Sequence, residues 1–354
     1  MLPYWLMLLV PAFAAFAQPY RAPATRRGGR APWLVAWTAL TLLLGYRYQV
    51  GGDWFTYLEN YLDALYLSIP EAIESRGDPA YVVVNWLSVW FGWDIYGVNM
   101  ICGAIFSAGL LVFCRAQARP WLALTIAIPY LVIVVGMGYT RQSAAIGLLL
   151  IALTHLDRRD TIKFVFWVAL GALFHKSAVI VVPIAILARI RNPWWTAFWV
   201  GATALLLYFL LVADFTEQLI AGYIDASYES EGAAIRVAMN TVPAVTYLLF
   251  RKQMTENPDE RAVWAWLSLL ALAFVPLLQV VPSSTAVDRL ALYMIPLQLY
   301  VFARVPEVLS RQVPVLGVSI VVGYCVAVQY VWLNYAAHAE FWIPYRFYPF
   351  EYWL

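Results

Sequence analysis

Long apolar runs punctuated by short basic clusters constrain this chain more than any other feature. Of the 23 Lys and Arg residues, sixteen fall in six clusters: Arg21/Arg26/Arg27/Arg30, Arg115/Arg119, Arg158/Arg159/Lys163, Arg189/Arg191, Arg251/Lys252/Arg261 and Arg304/Arg311. The other seven, Arg47, Arg76, Arg141, Lys176, Arg236, Arg289 and Arg346, stand singly between them. The apolar runs cover 4–17, 31–46, 95–114, 121–140, 142–156, 164–174, 177–190, 194–212, 235–250, 262–281, 290–303 and 314–335. Loops on the cytoplasmic side of a membrane are enriched in Lys and Arg, so the clusters mark inner loops and the single cations outer ones. The acids divide the other way. Six acids against sixteen bases leave the cluster side at +10, and fifteen acids against seven bases leave the other side at −8. This alternation predicts an all-α, polytopic membrane protein with about twelve crossings and both termini outside.

Composition agrees with that reading. Hydrophobic residues make up 63% of the chain and charged residues 12%, against about 25% charged in a soluble domain. The 17 Trp and 23 Tyr suit interfacial belts. Cys102, Cys114 and Cys325 lie in apolar runs without metal-binding spacing, so they read as small packing residues. Residues 4–17 end in Ala15-Phe16-Ala17, which resembles a signal-peptidase site. A signal peptide carries its positive charge before the apolar stretch. Here Arg21, Arg26, Arg27 and Arg30 follow it, so an uncleaved first helix is expected.

The whole of 1–354 reads as one integral membrane domain. It has outer segments at 47–94, with amphipathic or re-entrant helices, at 213–234, and in the C-terminal tail 336–354. Residues 79–93 are apolar, yet both flanks fall outside, as in a re-entrant or interfacial helix with Trp86, Trp90 and Trp93 near the headgroups. Residues 164–190 form either one tilted helix or two short legs with His175-Lys176 at the outer turn. The Arg189/Arg191 cluster favours two legs. Irregular backbone at membrane depth must be covered by protein or line a cavity, which places His175 in or beside one.

The outer helix ends carry the candidate chemistry. They are Tyr46-Arg47-Tyr48-Gln49-Val50-Gly51-Gly52-Asp53 with Tyr57, then Thr140-Arg141-Gln142, then His175-Lys176, then Arg236, then Asp288-Arg289 with Tyr293, and Tyr345-Arg346 in the tail. Singly, each arginine could be snorkelling to headgroups and each tyrosine anchoring at the interface. Jointly they form a set of cations on separate outer turns. Arg47, Arg141, Arg236 and Arg289 lack a matching carboxylate nearby, which suggests a diphosphate site, because guanidinium forks bind phosphate oxygens bidentately. There is no DxD and no HExxH, so no obligate metal and no cofactor is expected. The acids of the 53–94 stretch read as mostly a solvated face.

These residues carry a resemblance. Arg47…Val50-Gly51-Gly52-Asp53…Tyr57, Asp78-Pro79-Ala80-Tyr81…Asn85, Arg141-Gln142-Ser143-Ala144, His175-Lys176-Ser177-Ala178 and Asp288-Arg289-Leu290…Tyr293 occur in family order over about residues 45–295. The sequence resembles the EpsG family of bacterial exopolysaccharide polymerases, akin to the Wzy and O-antigen ligase group of GT-C-type membrane glycosyltransferases. Family members usually carry Gly-Thr-Asp or Gly-Ser-Asp at Gly51-Gly52-Asp53, and Glu-Pro-Gly at Asp78-Pro79-Ala80. The resemblance implies a multi-pass polymerase of the bacterial inner membrane with its site facing the periplasm. It would join oligosaccharide repeat units carried on undecaprenyl diphosphate and release undecaprenyl diphosphate.

For that chemistry, Arg141, Arg236, Arg289 and Arg47 are the candidates to hold the leaving diphosphate, and Asp53 and His175 are the candidate bases. Asp53 is preferred because it lies on a Gly-hinged loop; the reverse assignment stays open. Tyr57, Gln142, Asp288 and Tyr293 are candidate substrate-positioning groups. Expected partners are the lipid-linked oligosaccharide as donor and acceptor, membrane lipid, and a chain-length regulator or export complex; no nucleic acid is expected. A lipid-linked oligosaccharide flippase, a glycan ligase using the same donor and a membrane O-acyltransferase are the competing readings.

Overall fold

A computed structural model of the chain describes residues 1–18, 29–76, 78–156, 160–187, 192, 194–195, 198–199, 201–202, 205, 232–281, 284–309 and 313–351. Within these, the regular structure is helical and no strand forms. The first helices are α1 (Leu2–Ala17), α2 (Ala31–Gly45), α3 (Trp54–Asp63), α4 (Ile69–Arg76), α5 (Pro79–Phe91) and α6 (Asp94–Ala116). Next come α7 (Pro120–Ala127) continuing as a π-helix over Ile128–Gly136, α8 (Thr140–Leu156), and α9 (Thr161–Phe174) followed by a 3-10 turn, Lys176–Val181, and α10 (Val182–Leu187). The last group is α11 (Ala233–Met254), α12 (Pro258–Val280), α13 (Ser284–Ala291), α14 (Pro296–Phe302), α15 (Val305–Leu309), α16 (Pro314–Tyr335) and α17 (Tyr348–Glu351). The clusters at Arg21/Arg26/Arg27, Arg158/Arg159, Arg189/Arg191 and Arg311, most of run 194–212, and loop residues 213–231 lie outside the described residues.

Among the described residues, four helices, α6, α11, α12 and α16, are long and apolar enough to cross a membrane, and Ser284–Met294 with Pro296–Leu309 makes a fifth if that pair, bent by 43°, is one span. A helix of 22 or 23 residues is about 33–35 Å long, against a hydrocarbon core of about 30 Å. Leu2–Ala17, Ala31–Gly45, Pro79–Phe91, Pro120–Gly136 and Thr161–Phe174 are shorter apolar helices. α6 is the central one: 67% of its apolar window is buried, against 28–33% in the other three. It packs on α2, α8 and α5. Small residues permit the closest crossing, since a Cβ on Gly147 of α8 would lie 2.6 Å from Phe106 Cα of α6.

Local signals account for the helix ends. Asn257 caps α12 by accepting from the Asp259 N–H, and Pro258 takes the first helical position. Asp259 and Glu260 open α12 while Arg251 and Lys252 close α11, so both dipoles are complemented at one turn. Over 164–190 the chain breaks at His175, whose backbone is extended (φ −158°, ψ 113°). It then doubles back: a Cβ on Gly171 would sit 3.7 Å from Ala178 Cβ, whereas seven residues of straight helix span about 10 Å.

The long helices give the bundle two distinct ends. Arg141 opens α8, Arg236 lies in the first turn of α11, and Arg289 lies on α13. Far along the same elements, Thr255 follows α11, Glu260 opens α12 and Arg304 follows α14. At the Arg304 end the polar groups close on one another. Arg304 donates to Gln117 Oε1 (2.8 Å), its guanidinium carbon lies 3.5 Å from the Tyr300 ring centroid, and Tyr300 donates to Glu260 (2.6 Å). Arg119 pairs with Glu307 at 2.6 Å and donates to the Gln18 carbonyl.

Candidate functional site

The Arg141 end gathers the residues singled out in the sequence. The loop 46–53 brings Arg47 and Asp53; α3 brings Tyr57; the start of α8 brings Arg141 and Gln142; the break after α9 brings His175. Arg236 comes from α11, Asp288 and Arg289 from α13, and Tyr293 from the turn after it. Two of the four arginines have full carboxylate partners, which corrects the expectation of unmatched cations. Arg141 Nη1 donates to Asp78 Oδ2 at 2.9 Å, and Arg236 Nε donates to Asp288 Oδ1 at 2.5 Å. The partners are 63 and 52 residues away in sequence, so only the fold joins them.

Asp78 is therefore not part of a solvated acidic face. Its side chain is 9% exposed, and its second oxygen accepts from the Lys176 N–H at 3.4 Å. It ties the start of α5, the start of α8 and the turn beside His175 together. Arg141 also lies over the rings of Tyr57 and Tyr81. Arg47 is buried, and each of its three nitrogens donates to a protein oxygen: Leu44 O (2.6 Å), Val50 O (3.2 Å) and Thr140 Oγ1 (2.7 Å). Gln142 donates to the Arg289 carbonyl at 2.5 Å and so locks α8 to α13.

Arg289 and Asp53 differ from these closed pairs. Their closest atoms are 3.8 Å apart, with 48% and 34% of the side chains exposed. Arg289 also lies over the Tyr139 ring. Burial pushes the Asp53 carboxyl above its ordinary range, opposed by the charges of Arg289 and Arg141. His175 behaves in the opposite sense. Burial, and then the charges of Arg141, Arg289 and Lys176, push it down to about 3, so its ring is neutral at physiological pH. Its Nδ1 is buried without a hydrogen-bond partner, as are the Tyr293 and Tyr81 hydroxyls and Asn85 Oδ1. Buried polar atoms are nearly always satisfied in folded proteins, so a cluster of open ones points to a place that a ligand or water completes. Among the described residues, no group of three or more His, Cys, Asp or Glu is placed to hold a metal ion.

A family model described as the EpsG family matches residues 30–347. The chain belongs to the EpsG family. Membership makes it a multi-pass membrane protein and a polysaccharide polymerase of the glycosyltransferase-like kind. No curated protein and no solved structure shows a significant match to the chain. In this EpsG-family chain, the sequence offers Asp78 only as part of a motif, with no role in the site, while Tyr139, next to Thr140-Arg141-Gln142 at the same turn, joins the site under Arg289. Asp78 sits before Pro79 in an acid-rich stretch, and nothing local marks it as the partner of Arg141. The Gly51-Gly52 pair suggests a hinge, but the loop is fixed. Gly51 N–H donates to the Phe341 carbonyl at 2.9 Å, and its φ of +109° requires glycine.

Proposed function

We propose that the chain polymerises oligosaccharide repeat units carried on undecaprenyl diphosphate, at the periplasmic face of the bacterial inner membrane. The bundle in this reading has about twelve crossings in a GT-C-like arrangement, with the Arg141 end outward. The observation that carries the proposal is the half-open Arg289–Asp53 pair beside a neutral His175 whose buried Nδ1 has no partner. An exposed guanidinium is ready for phosphate oxygens, and a carboxylate with a raised pKa stands next to it.

The donor is the growing chain, linked through its reducing-end C1 to undecaprenyl diphosphate. As the C1–O bond breaks, its electron pair stays on the diphosphate oxygen. Arg289, with Arg141 and Arg236, stabilises that charge. The acceptor hydroxyl of an incoming unit bonds to C1 and gives its proton to Asp53. His175, neutral and with one ring nitrogen open, contacts the sugar or diphosphate. Gln142, Asp288, Tyr57 and Tyr293 hold these groups in place. Arg47 shapes the loop, because its nitrogens are already engaged. The reaction needs no divalent metal in this scheme.

The test is polymerisation in nanodiscs containing purified protein and undecaprenyl-diphosphate repeat units, with EDTA present. The expected result is a ladder of glycans with release of undecaprenyl diphosphate, lost in Asp53→Ala and Arg289→Ala. Scrambling of lipid-linked units across the bilayer without a ladder would replace the polymerase with a flippase. Transfer to a different acceptor without a ladder would make it a ligase.

A further inference from the structure

The C-terminal tail runs against the loop that carries Asp53. Tyr348 N–H donates to Tyr46 O (2.8 Å), Tyr48 N–H to Arg346 O (3.0 Å) and Gly51 N–H to Phe341 O (2.9 Å), with an antiparallel bridge between Arg47 and Phe347. Segments nearly 300 residues apart are thus laced through the backbone. Asp53 itself makes no capping hydrogen bond to α3, and its nearest charged partner is 3.8 Å away. The position of its carboxylate is therefore set by the backbone of Gly51-Gly52 rather than by its own side-chain contacts.

Trp342 sits beneath that backbone. The indole is buried, and its Nε1–H donates to the Ile133 carbonyl in the π-helical stretch at 2.8 Å. A Cβ on Gly138 would lie 2.6 Å from Trp342 Cζ2, and one on Gly52 would lie 3.8 Å from Cη2. The ring is thus wedged between Gly138 and the Asp53 loop. Trp332 of α16 meets the ring edge-on at 5.0 Å, and Tyr4 of α1 donates to the Trp342 carbonyl at 2.5 Å. Ile133, Gly138 and Trp332 hold the indole, Tyr4 holds its backbone, and the indole holds the loop.

We propose that this C-terminal strap is a working part of the reaction site, with Trp342 the positioning residue that sets where Asp53 meets the acceptor. The inference rests on the reading of Asp53 as the group that contacts the acceptor hydroxyl. Trp342 acts through the loop and touches no substrate. The guanidinium groups of Arg141 and Arg236 are held by Asp78 and Asp288 instead, and Gln142 fixes the Arg289 backbone carbonyl, so the strap acts first on the acceptor side of the reaction.

The experiment uses full-length protein in nanodiscs and compares wild type with Trp342→Ala, Trp342→Phe and Gly138→Ala. Hydrogen exchange at the Gly51 amide reports the loop directly, and kcat and KM are measured for polymerisation. Trp342→Ala is expected to speed Gly51 exchange and to lower kcat on the order of 100-fold, the cost of misplacing a reacting group by about 1 Å. Affinity for undecaprenyl diphosphate should stay at the wild-type value. Trp342→Phe keeps a ring under the loop and should recover most of kcat. Gly138→Ala pushes the ring from the far side without altering the tail and should give the same loop exposure; it keeps the test valid if Trp342→Ala fails to fold. Unchanged Gly51 exchange in the variants overturns the strap. Faster exchange with unchanged kcat would show that the strap holds the loop but that Asp53 is not used, which overturns the catalytic reading.

Discussion

The two ends of the bundle are built from the same elements and the same residue types, yet they treat charge differently. At the Arg304 end each of the cations Arg119 and Arg304 meets a carboxylate, and the hydroxyls of Tyr247, Thr255 and Tyr300 bond to one another in a chain that ends on Glu260. At the Arg141 end two pairs are closed, but Arg289 and Asp53 stand half-exposed, and His175, Tyr81, Tyr293 and Asn85 keep open polar atoms. A closed polar network contributes rigidity and leaves less for a ligand, while an open one costs stability and persists where binding completes it. The half-exposed Arg289–Asp53 pair is what sets the Arg141 end apart, since an open polar atom also occurs at the other end, at Trp264 Nε1 beside Tyr300.

Substitutions can break this contrast or sharpen it. The largest effect is expected from Asp53→Asn, which keeps the shape and removes the proposed base: kcat should fall about 10²- to 10⁴-fold with an unchanged melting temperature. Arg289→Ala should lower kcat/KM about 10²- to 10³-fold, the range for one preorganised charge-stabilising group. The pH profile of Arg289→Gln adds a sign. Arg289 lowers the pKa of Asp53, so removing the cation should move the acid limb of kcat/KM to higher pH. His175 should contribute no limb near neutrality, because it is neutral down to about 3. Asp78→Asn should cost about 1–3 kcal/mol in transition-state binding, roughly 5- to 150-fold in kcat/KM, by loosening Arg141. The smallest effect on rate belongs to the other end. Glu307→Gln should lower stability by about 1–3 kcal/mol through the stranded Arg119, with kcat per folded molecule unchanged. Loss of kcat in Glu307→Gln, or loss of folding in Asp53→Asn, would erase the distinction between the two ends.

Helices were legible in the sequence wherever an apolar run was long and its ends were marked. The run 314–335 is α16 to the residue, and 95–114 lies within α6. The break at His175 was legible because basic residues on both sides demanded a turn. What escaped depends on contacts across long separations. Asp78 reads as one more acid in a polar loop until α8 places Arg141 beside it. Trp342 reads as one more aromatic of an interfacial belt until the bare Cα of Gly138 and the Ile133 carbonyl show that the ring edge packs against the end of the π-helical segment. Arg47 lies at the same end of the bundle as the other three arginines, and only its hydrogen bonds separate it from them. Sequence position placed these groups at one end of the molecule; packing decided which of them stay open.

Binding of undecaprenyl diphosphate, the proposed leaving product, tests the central claim most directly. Its dissociation constant would be measured in nanodiscs for wild type, Arg289→Ala and Glu307→Gln. The account predicts that Arg289→Ala binds at least about tenfold more weakly, equivalent to about 1.4 kcal/mol, while Glu307→Gln binds as wild type does. Equal affinity in all three proteins would contradict it, because the open end would then not be where the lipid diphosphate is held.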